Sequence, residues 1–122
     1  MNAPLRFHPR KPDSSCADLV QDSVVDPALY TDPQIFDLEM DRIFARTWVW
    51  VAHVSELPKP GDFRSTFVGR NPVIVVRDRK DEIHVLENRC RHRGATVCEK
   101  TKGNATGFTC PYHSWSYGLD GK

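Results

Sequence analysis

Apolar positions change their period part-way along the chain. Over residues 33–46 they recur at helical spacing: Phe36, Met40, Ile43 and Phe44 fall at i, i+4, i+7 and i+8, and Asp37, Glu39, Asp41 and Arg42 take much of the remaining surface. Thr31 or Asp32 can cap such a helix, Pro33 suits its first turn, and Thr31 with Gln34 three places on has the form of a capping box. This spacing predicts one amphipathic α-helix. Beyond it the helical period is lost. Short runs rich in β-branched and aromatic residues follow at 48–54, 63–68, 73–77 and 83–88, with 104–109 and 114–119 as two further strand candidates. Pro58, Pro60 and Gly61 separate the first two runs; Gly69, Asn71 and Pro72 mark the next turn, and residues 78–81 the one after. Asp120-Gly121 is a hairpin-turn dipeptide. Strands with a turn signal every ten residues or so predict an antiparallel β domain. Before the helix, Pro4, Pro9 and Pro12 interrupt any regular element, and Ser14, Ser15, Asp18, Gln21 and Asp22 form no apolar face. Such a stretch buries too little to offset its ordering entropy. The expected organisation is a disordered tail over 1–28, a helix segment over 29–47 and a mainly β domain over 48–122, with no internal repeat.

Composition narrows the function classes. The 122 residues carry 17 Lys plus Arg against 16 Asp plus Glu, a net charge of +1. Phosphate neutralisation needs a basic excess that is missing here, so no nucleic-acid partner is expected. Apolar runs are only about a quarter of the ~20 residues that span a bilayer, and the N-terminus has no apolar stretch of signal-peptide type. The chain reads as a soluble, cytoplasmic protein without a membrane partner. Four cysteines are too few for a disulfide-built scaffold, which leaves reduced thiols or metal ligation.

The chemistry-bearing residues are Cys90, His92, Cys110 and His113. They read as Cys-x-His, a gap of seventeen residues, then Cys-x-x-His. Two loops at hairpin tips can present these two thiolates and two imidazoles to one site. A tetrahedral zinc ion takes such a Cys₂His₂ set. So does a [2Fe–2S] cluster whose cysteines hold one iron and whose histidines hold the other. Zinc fingers space their histidines three to five residues apart on a helix. Here Gly94 and Pro111 punctuate the two loops and strand candidates flank them, which favours the cluster.

The boxes Cys90-Arg91-His92-Arg93-Gly94 and Cys110-Pro111-Tyr112-His113-Ser114-Trp115-Ser116-Tyr117-Gly118 resemble the Rieske iron–sulfur signature. More specifically, they are similar to the N-terminal domain of the α (large) subunit of aromatic-ring-hydroxylating oxygenases. Tyr30 and the helix, Trp48-Val49-Trp50, and the run from Leu57 to Phe63 share that resemblance, which covers about residues 29–122. It implies a Rieske-type antiparallel β-sheet domain and one [2Fe–2S] cluster, with Cys90, His92, Cys110 and His113 as ligands. Arg91, Gly94, Trp115 and Tyr117 are implied around it, Tyr117 matching the family tyrosine that hydrogen-bonds a ligand sulfur. Respiratory Rieske proteins carry an extra cysteine in each box; those positions here are Ala95 and Tyr112. Their sulfide-bonding serine is replaced by Trp115, which implies a lower potential. Ser114 departs from the family's usual glycine; if the backbone there has φ > 0, serine costs local energy. Arg89, Arg91 and Arg93 crowd the first box. A guanidinium ~8 Å away at an effective dielectric of ~20 stabilises a reduced cluster by about 2 kcal/mol at most.

The resemblance implies further parts that these residues do not supply. In the family a larger C-terminal domain holds a mononuclear Fe(II) on two His and one carboxylate. Outside the two boxes only His8, His53 and His84 remain, the first in the tail and the others in strand candidates, where surface or satisfied core histidines are expected. Cys16 and Cys98 read as ordinary thiols. The chain is therefore expected to be an N-terminal fragment of an α subunit, with its β domain incomplete at the C-terminus. It would pass electrons without hydroxylating anything itself. The implied parent activity is oxygen-dependent hydroxylation of an aromatic substrate by an α₃ or α₃β₃ oligomer, with electrons from NAD(P)H through a reductase and perhaps a ferredoxin. A stand-alone Rieske ferredoxin and a zinc-stabilised binding module are the alternatives.

Overall fold

The computed structural model describes residues 16–122. The chain divides into two compact units, one ending at Ile43 and the other running from Phe44 to Lys122.

In the first unit, residues expected to lie in a structureless tail are ordered from Cys16 onward; the tail expected over 1–15 lies outside the described residues. A 3₁₀ turn at Cys16–Leu19 leads into a two-residue-per-strand hairpin, β1 (Val20–Gln21) and β2 (Val24–Val25), with Val20 opposite Val25. Local bonding, which leaves no periodic signature in sequence, holds this segment. Asp26 N–H donates to the Leu19 carbonyl at 2.8 Å, the Asp26 carboxylate accepts from Ala28 N–H at 2.8 Å, and Leu19 is buried. A single turn, α1 (Ala28–Thr31), precedes α2 (Pro33–Glu39). Asp32 is the α2 cap, accepting from Gln34 N–H at 2.8 Å, whereas the Thr31 hydroxyl donates back to the Pro27 carbonyl. The predicted helix to 46 is thus α-helical only to Glu39 and continues as a π-type turn over Met40–Phe44. That change of pitch breaks the expected stripe: Ile35 is the buried residue of α2, and Phe36 and Ile43 stay about half exposed.

The second unit is built on a four-stranded antiparallel sheet of order β5-β4-β3-β6, from β3 (Asp62–Val68), β4 (Asn71–Arg77), β5 (Ile83–Glu87) and β6 (Lys102–Asn104). Phe63 lies opposite Val76, and Val75 opposite Val85. Four consecutive apolar residues of β4, Val73 to Val76, are all buried, as befits a central strand covered on both faces. Phe63, Ile74 and Val76 enter the core with Val97, Phe108 and Leu119, and Cys90 and Cys110 sit in that same cluster. Leu57 is 1% exposed; its carbonyl accepts from Arg77 Nε of β4, and Glu56 beside it ion-pairs with Arg64 of β3.

The strand expected over 48–54 does not form. Its composition suits a strand, but among the described residues it pairs with no other strand, and Trp48 is fully exposed and Trp50 71% exposed. The segment ends in a 3₁₀ turn, Val54–Glu56, with a complete capping box in which His53 Nδ1 accepts from Ser55 N–H and Glu56 accepts from His53 N–H. The candidate at 104–109 resolves into β6 and β7 (Phe108–Thr109), and the one at 114–119 into β8 (Ser116–Tyr117), which pairs with β7. Gly61, between Pro60 and β3, has φ +88°, and a Cβ there would lie 2.6 Å from the Ala105 carbonyl oxygen, so that turn needs glycine. At Asp120-Gly121 the expected turn is present, closed by Gly121 N–H on the Gly118 carbonyl.

The β4–β5 turn is locked by Asp78. Its Oδ1 accepts from Lys80 and Glu82 N–H and its Oδ2 bonds His84 Nε2 at 3.0 Å. The His84 bond, then the Glu82 N–H, hold the Asp78 carboxyl below its usual range. A carboxylate depressed in the folded state stabilises fully above the unfolded value and loses that stabilisation as pH falls through the folded one. Asp78→Asn should therefore flatten the fall in stability below about pH 4, near the unfolded carboxylate value. Urea midpoints of both proteins at several pH values check this; parallel curves would refute it.

Candidate metal centre

Both loops share one backbone design. In the first, Cys90 N–H donates to the Ala95 carbonyl and Gly94 N–H to the Cys90 carbonyl, each at 2.8 Å. In the second, Cys110 N–H donates to the Trp115 carbonyl at 2.8 Å and Ser114 N–H to the Cys110 carbonyl at 3.0 Å. Each loop closes on itself over the same interval, so each cysteine stays buried at its base. The histidines, two and three residues on, lie at the exposed tips. The turn requires left-handed backbone at the fourth residue after each cysteine: φ is +73° at Gly94 and +59° at Ser114.

That geometry answers the question posed by Ser114. An L-residue in the left-handed region costs about 1 kcal/mol, and the entropy glycine loses on folding offsets part of this. Ser114→Gly should stabilise the domain by roughly 0.5–1 kcal/mol, and Gly94→Ala should destabilise it comparably. Chemical denaturation of the pair checks this; a loss of stability in Ser114→Gly would show that the serine side chain contributes more than its backbone costs.

Asn88 anchors the first loop from beneath, and nothing in the sequence singled it out. It is 4% exposed; its Oδ1 accepts from Val97 N–H at 3.1 Å and Cys98 N–H at 2.8 Å, and its Nδ2 donates to the Cys98 carbonyl at 2.7 Å. An asparagine closing a strand two residues before a Cys-x-His box is a signal available in sequence, but a weak one. Cys98 itself bonds only the Lys100 carbonyl through sulfur.

Tyr117 of β8 joins the two loops. Its oxygen lies 3.2 Å from Cys90 Sγ and accepts from Arg91 N–H at 3.0 Å. The tyrosine hydroxyl is the main influence holding the Cys90 thiol below its usual value, helped by the His92 and Arg93 N–H groups and the Cys110 thiol. The same bond raises Tyr117, whose phenolate would face the thiolate. A lowered thiol favours the thiolate, the form in which cysteine ligates metal.

The imidazoles form the second pair. The His92 and His113 rings are 4.8 Å apart between centroids and inclined by 73°. Two imidazoles on one tetrahedral ion, with ~2.1 Å metal–nitrogen bonds, put their ring centres about 5 Å apart. Trp115 stacks on His92, and Tyr112 lies against His113. The two rings are neighbours, yet among the described residues no three of the four donors come within 4.8 Å of one another. One tetrahedral zinc ion would draw all four that close, with ~2.3 Å zinc–sulfur and ~2.1 Å zinc–nitrogen bonds. Donors spread more widely than one tetrahedral ion requires fit a group with two metal ions, such as a [2Fe–2S] cluster bound by Cys₂ and His₂.

Residues 47–122 match the Rieske [2Fe-2S] domain family. The chain belongs to that family. A Rieske domain carries a [2Fe–2S] cluster, and the donor set here has the chemistry for one. The biphenyl 2,3-dioxygenase α subunit of Rhodococcus jostii (strain RHA1) is 43% identical over 115 residues, which is 93% of this chain and 25% of that subunit. A naphthalene 1,2-dioxygenase structure from Rhodococcus sp. superposes with a TM-score of 0.72 at 44% identity, covering 77% of this chain and 21% of that one. The quaternary ammonium Rieske monooxygenase CntA superposes with a TM-score of 0.69 at 36% identity, over 77% of this chain and 26% of that one. This Rieske chain therefore spans about a quarter of the length of its relatives. Those relatives are oxygenase subunits, and this chain corresponds to their Rieske portion and the segment before it. Among the described residues no helix is long and apolar enough to cross a membrane.

Proposed function

We propose that Cys90 and Cys110 hold one iron and His92 and His113 the other iron of a [2Fe–2S] cluster. We further propose that the chain relays single electrons to the mononuclear iron site of an aromatic-ring-hydroxylating oxygenase. The observation that supports the ligand assignment is the pair of matching loops, each with its cysteine buried at the base, whose tips bring the His92 and His113 rings 4.8 Å apart between centroids. The bound cluster supplies a one-electron redox couple. The chain's own groups do the rest: the Tyr117 hydroxyl lies 3.2 Å from Cys90 sulfur, and Arg91 and Arg93 lie exposed at the tip of the same loop. Hydrogen bonds to a ligand sulfur stabilise added negative charge and so favour the reduced state.

The histidine tips are the exposed side of the site, so electrons enter and leave there. In this reading a reductase, directly or through a ferredoxin, is the donor. The acceptor is a catalytic domain of the kind that makes up the rest of the α-subunit relatives, in an α₃ or α₃β₃ assembly. The substrate class is aromatic by likeness to the biphenyl and naphthalene enzymes; CntA, named for quaternary ammonium compounds, superposes with a lower TM-score than the naphthalene enzymes. A stand-alone Rieske ferredoxin would use the same site, but 93% of this chain, including residues before the Rieske match, aligns with an oxygenase α subunit.

Metal and acid-labile sulfide analysis of anaerobically purified protein tests the cofactor. Two irons and two sulfides per chain are expected, and stoichiometric zinc without sulfide would refute the assignment.

A further inference from the structure

The +5 position of each loop does the same backbone task with different side chains. In the first loop the Ala95 carbonyl accepts from Cys90 N–H; in the second the Trp115 carbonyl accepts from Cys110 N–H. Ala95 shows that this task needs no particular side chain. The Trp115 indole is 48% exposed and stands outside the buried core cluster, so burial does not account for it either. Its recorded ring contact is with the other loop: indole and His92 imidazole are stacked, 5.0 Å between centroids and within 7° of parallel. That spacing lies in the range of offset stacking between aromatic rings.

We propose that Trp115 is a positioning residue that fixes the plane of the His92 ring, tying a ligand of the first loop to the backbone of the second. The inference rests on the ligand assignment above. An imidazole at an exposed loop tip is free to rotate about its side-chain torsions, and ordering a side chain costs entropy each time it binds. A ring already held flat against an indole meets metal without that cost. His113 needs less help from across the site, because its neighbour Tyr112 already lies against it, 3.9 Å between centroids. Outer partners that orient metal-binding histidines are worth 10–100-fold in metal affinity. Loss of the stack should fall at the lower end of that range, since a ring contact is less directional than a hydrogen bond.

The test compares the wild-type chain with Trp115→Phe, which keeps an aromatic face, and Trp115→Leu, which keeps bulk without one. Each is reconstituted with iron and sulfide and followed in two ways. The first is the rate of cluster bleaching under anaerobic chelator. The second is pulsed EPR of the reduced state, which reads the hyperfine couplings of the coordinated histidine nitrogens. Roughly tenfold faster bleaching is expected in Trp115→Leu, with one of the two nitrogen couplings broadened or shifted and near-wild-type behaviour in Trp115→Phe. A purely structural role would lower the melting temperature of both apo variants and leave the nitrogen couplings of loaded protein unchanged. Unchanged couplings and bleaching rate in Trp115→Leu would overturn this inference alone. Failure of the wild-type chain to take up iron and sulfide would overturn the ligand assignment, and this inference with it.

Discussion

Cys90→Ala should yield protein that retains less than a tenth of the wild-type iron. Three costs coincide at this residue. The site loses one of only two thiolates, the donors that hold ferric iron most strongly; structural metal sites draw on the order of 10–16 kcal/mol from a full ligand set, so one missing ligand removes several. The Tyr117 hydroxyl loses its sulfur partner, and an unsatisfied polar group costs about 1–3 kcal/mol where water cannot replace the partner. A gap also opens in the core, because Cys90 is only 3% exposed and packs in the main cluster. His92→Cys is the informative contrast. It keeps four donors and should keep iron, but a third thiolate, the first on the outer metal, raises the negative charge the reduced state must carry. Rieske potentials lie roughly 250 mV or more above those of all-cysteine plant-type clusters. A fall on the order of 100 mV or more is therefore expected from one such exchange, read by voltammetry beside iron and sulfide content. Full iron in Cys90→Ala would remove Cys90 from the ligand set.

The parts of this molecule that were legible in sequence are those governed by period or by spacing. The hairpins of β3, β4 and β5 were visible because runs of β-branched and aromatic residues and the turn residues between them are local signals. The ligand boxes were visible because metal chemistry restricts residue type and interval together. The misread segments are those where a partner, absent from any local window, decides the outcome. Residues 48–54 have strand composition, yet a strand exists only where a neighbour completes its ladder, and Trp48 and Trp50 are exposed instead. Residues 16–27 lack apolar period, yet Asp26 organises them by two hydrogen bonds. Around the site, the tyrosine partner of Cys90 entered through family resemblance, and the structure places its oxygen 3.2 Å from the sulfur. Asn88 and the stack of Trp115 on His92 came only with coordinates. Both join residues far apart in sequence, and neither residue type announces such a role.

The 122-residue polypeptide, loaded with its cluster, should accept electrons and hydroxylate nothing. Reduction needs only the two loops, and these are closed by their own hydrogen bonds with both cysteines packed in the core of the same unit. Oxygen activation of the kind proposed for the parent enzyme needs a separate ferrous ion on two histidines and a carboxylate with open coordination positions. Outside the two boxes, the gathering of three donors within 4.8 Å of one another among the described residues is Asp78, Glu82 and His84, which contains a single histidine. Its His84 Nε2 is already bonded to Asp78, whose other oxygen is occupied by two backbone N–H groups of the β4–β5 turn. The assay mixes reconstituted protein with a reductase, NADH, oxygen and a panel of aromatic compounds that includes biphenyl, naphthalene and anthranilate. Bleaching of the visible spectrum on reduction, with hydroxylated product below the level given by free ferrous iron, is the expected result. Adding a separately produced catalytic domain from an α-subunit relative should then generate product only when both proteins are present. Stoichiometric hydroxylation by the 122 residues alone would place an oxygen-activating site within this chain and overturn its assignment to electron relay.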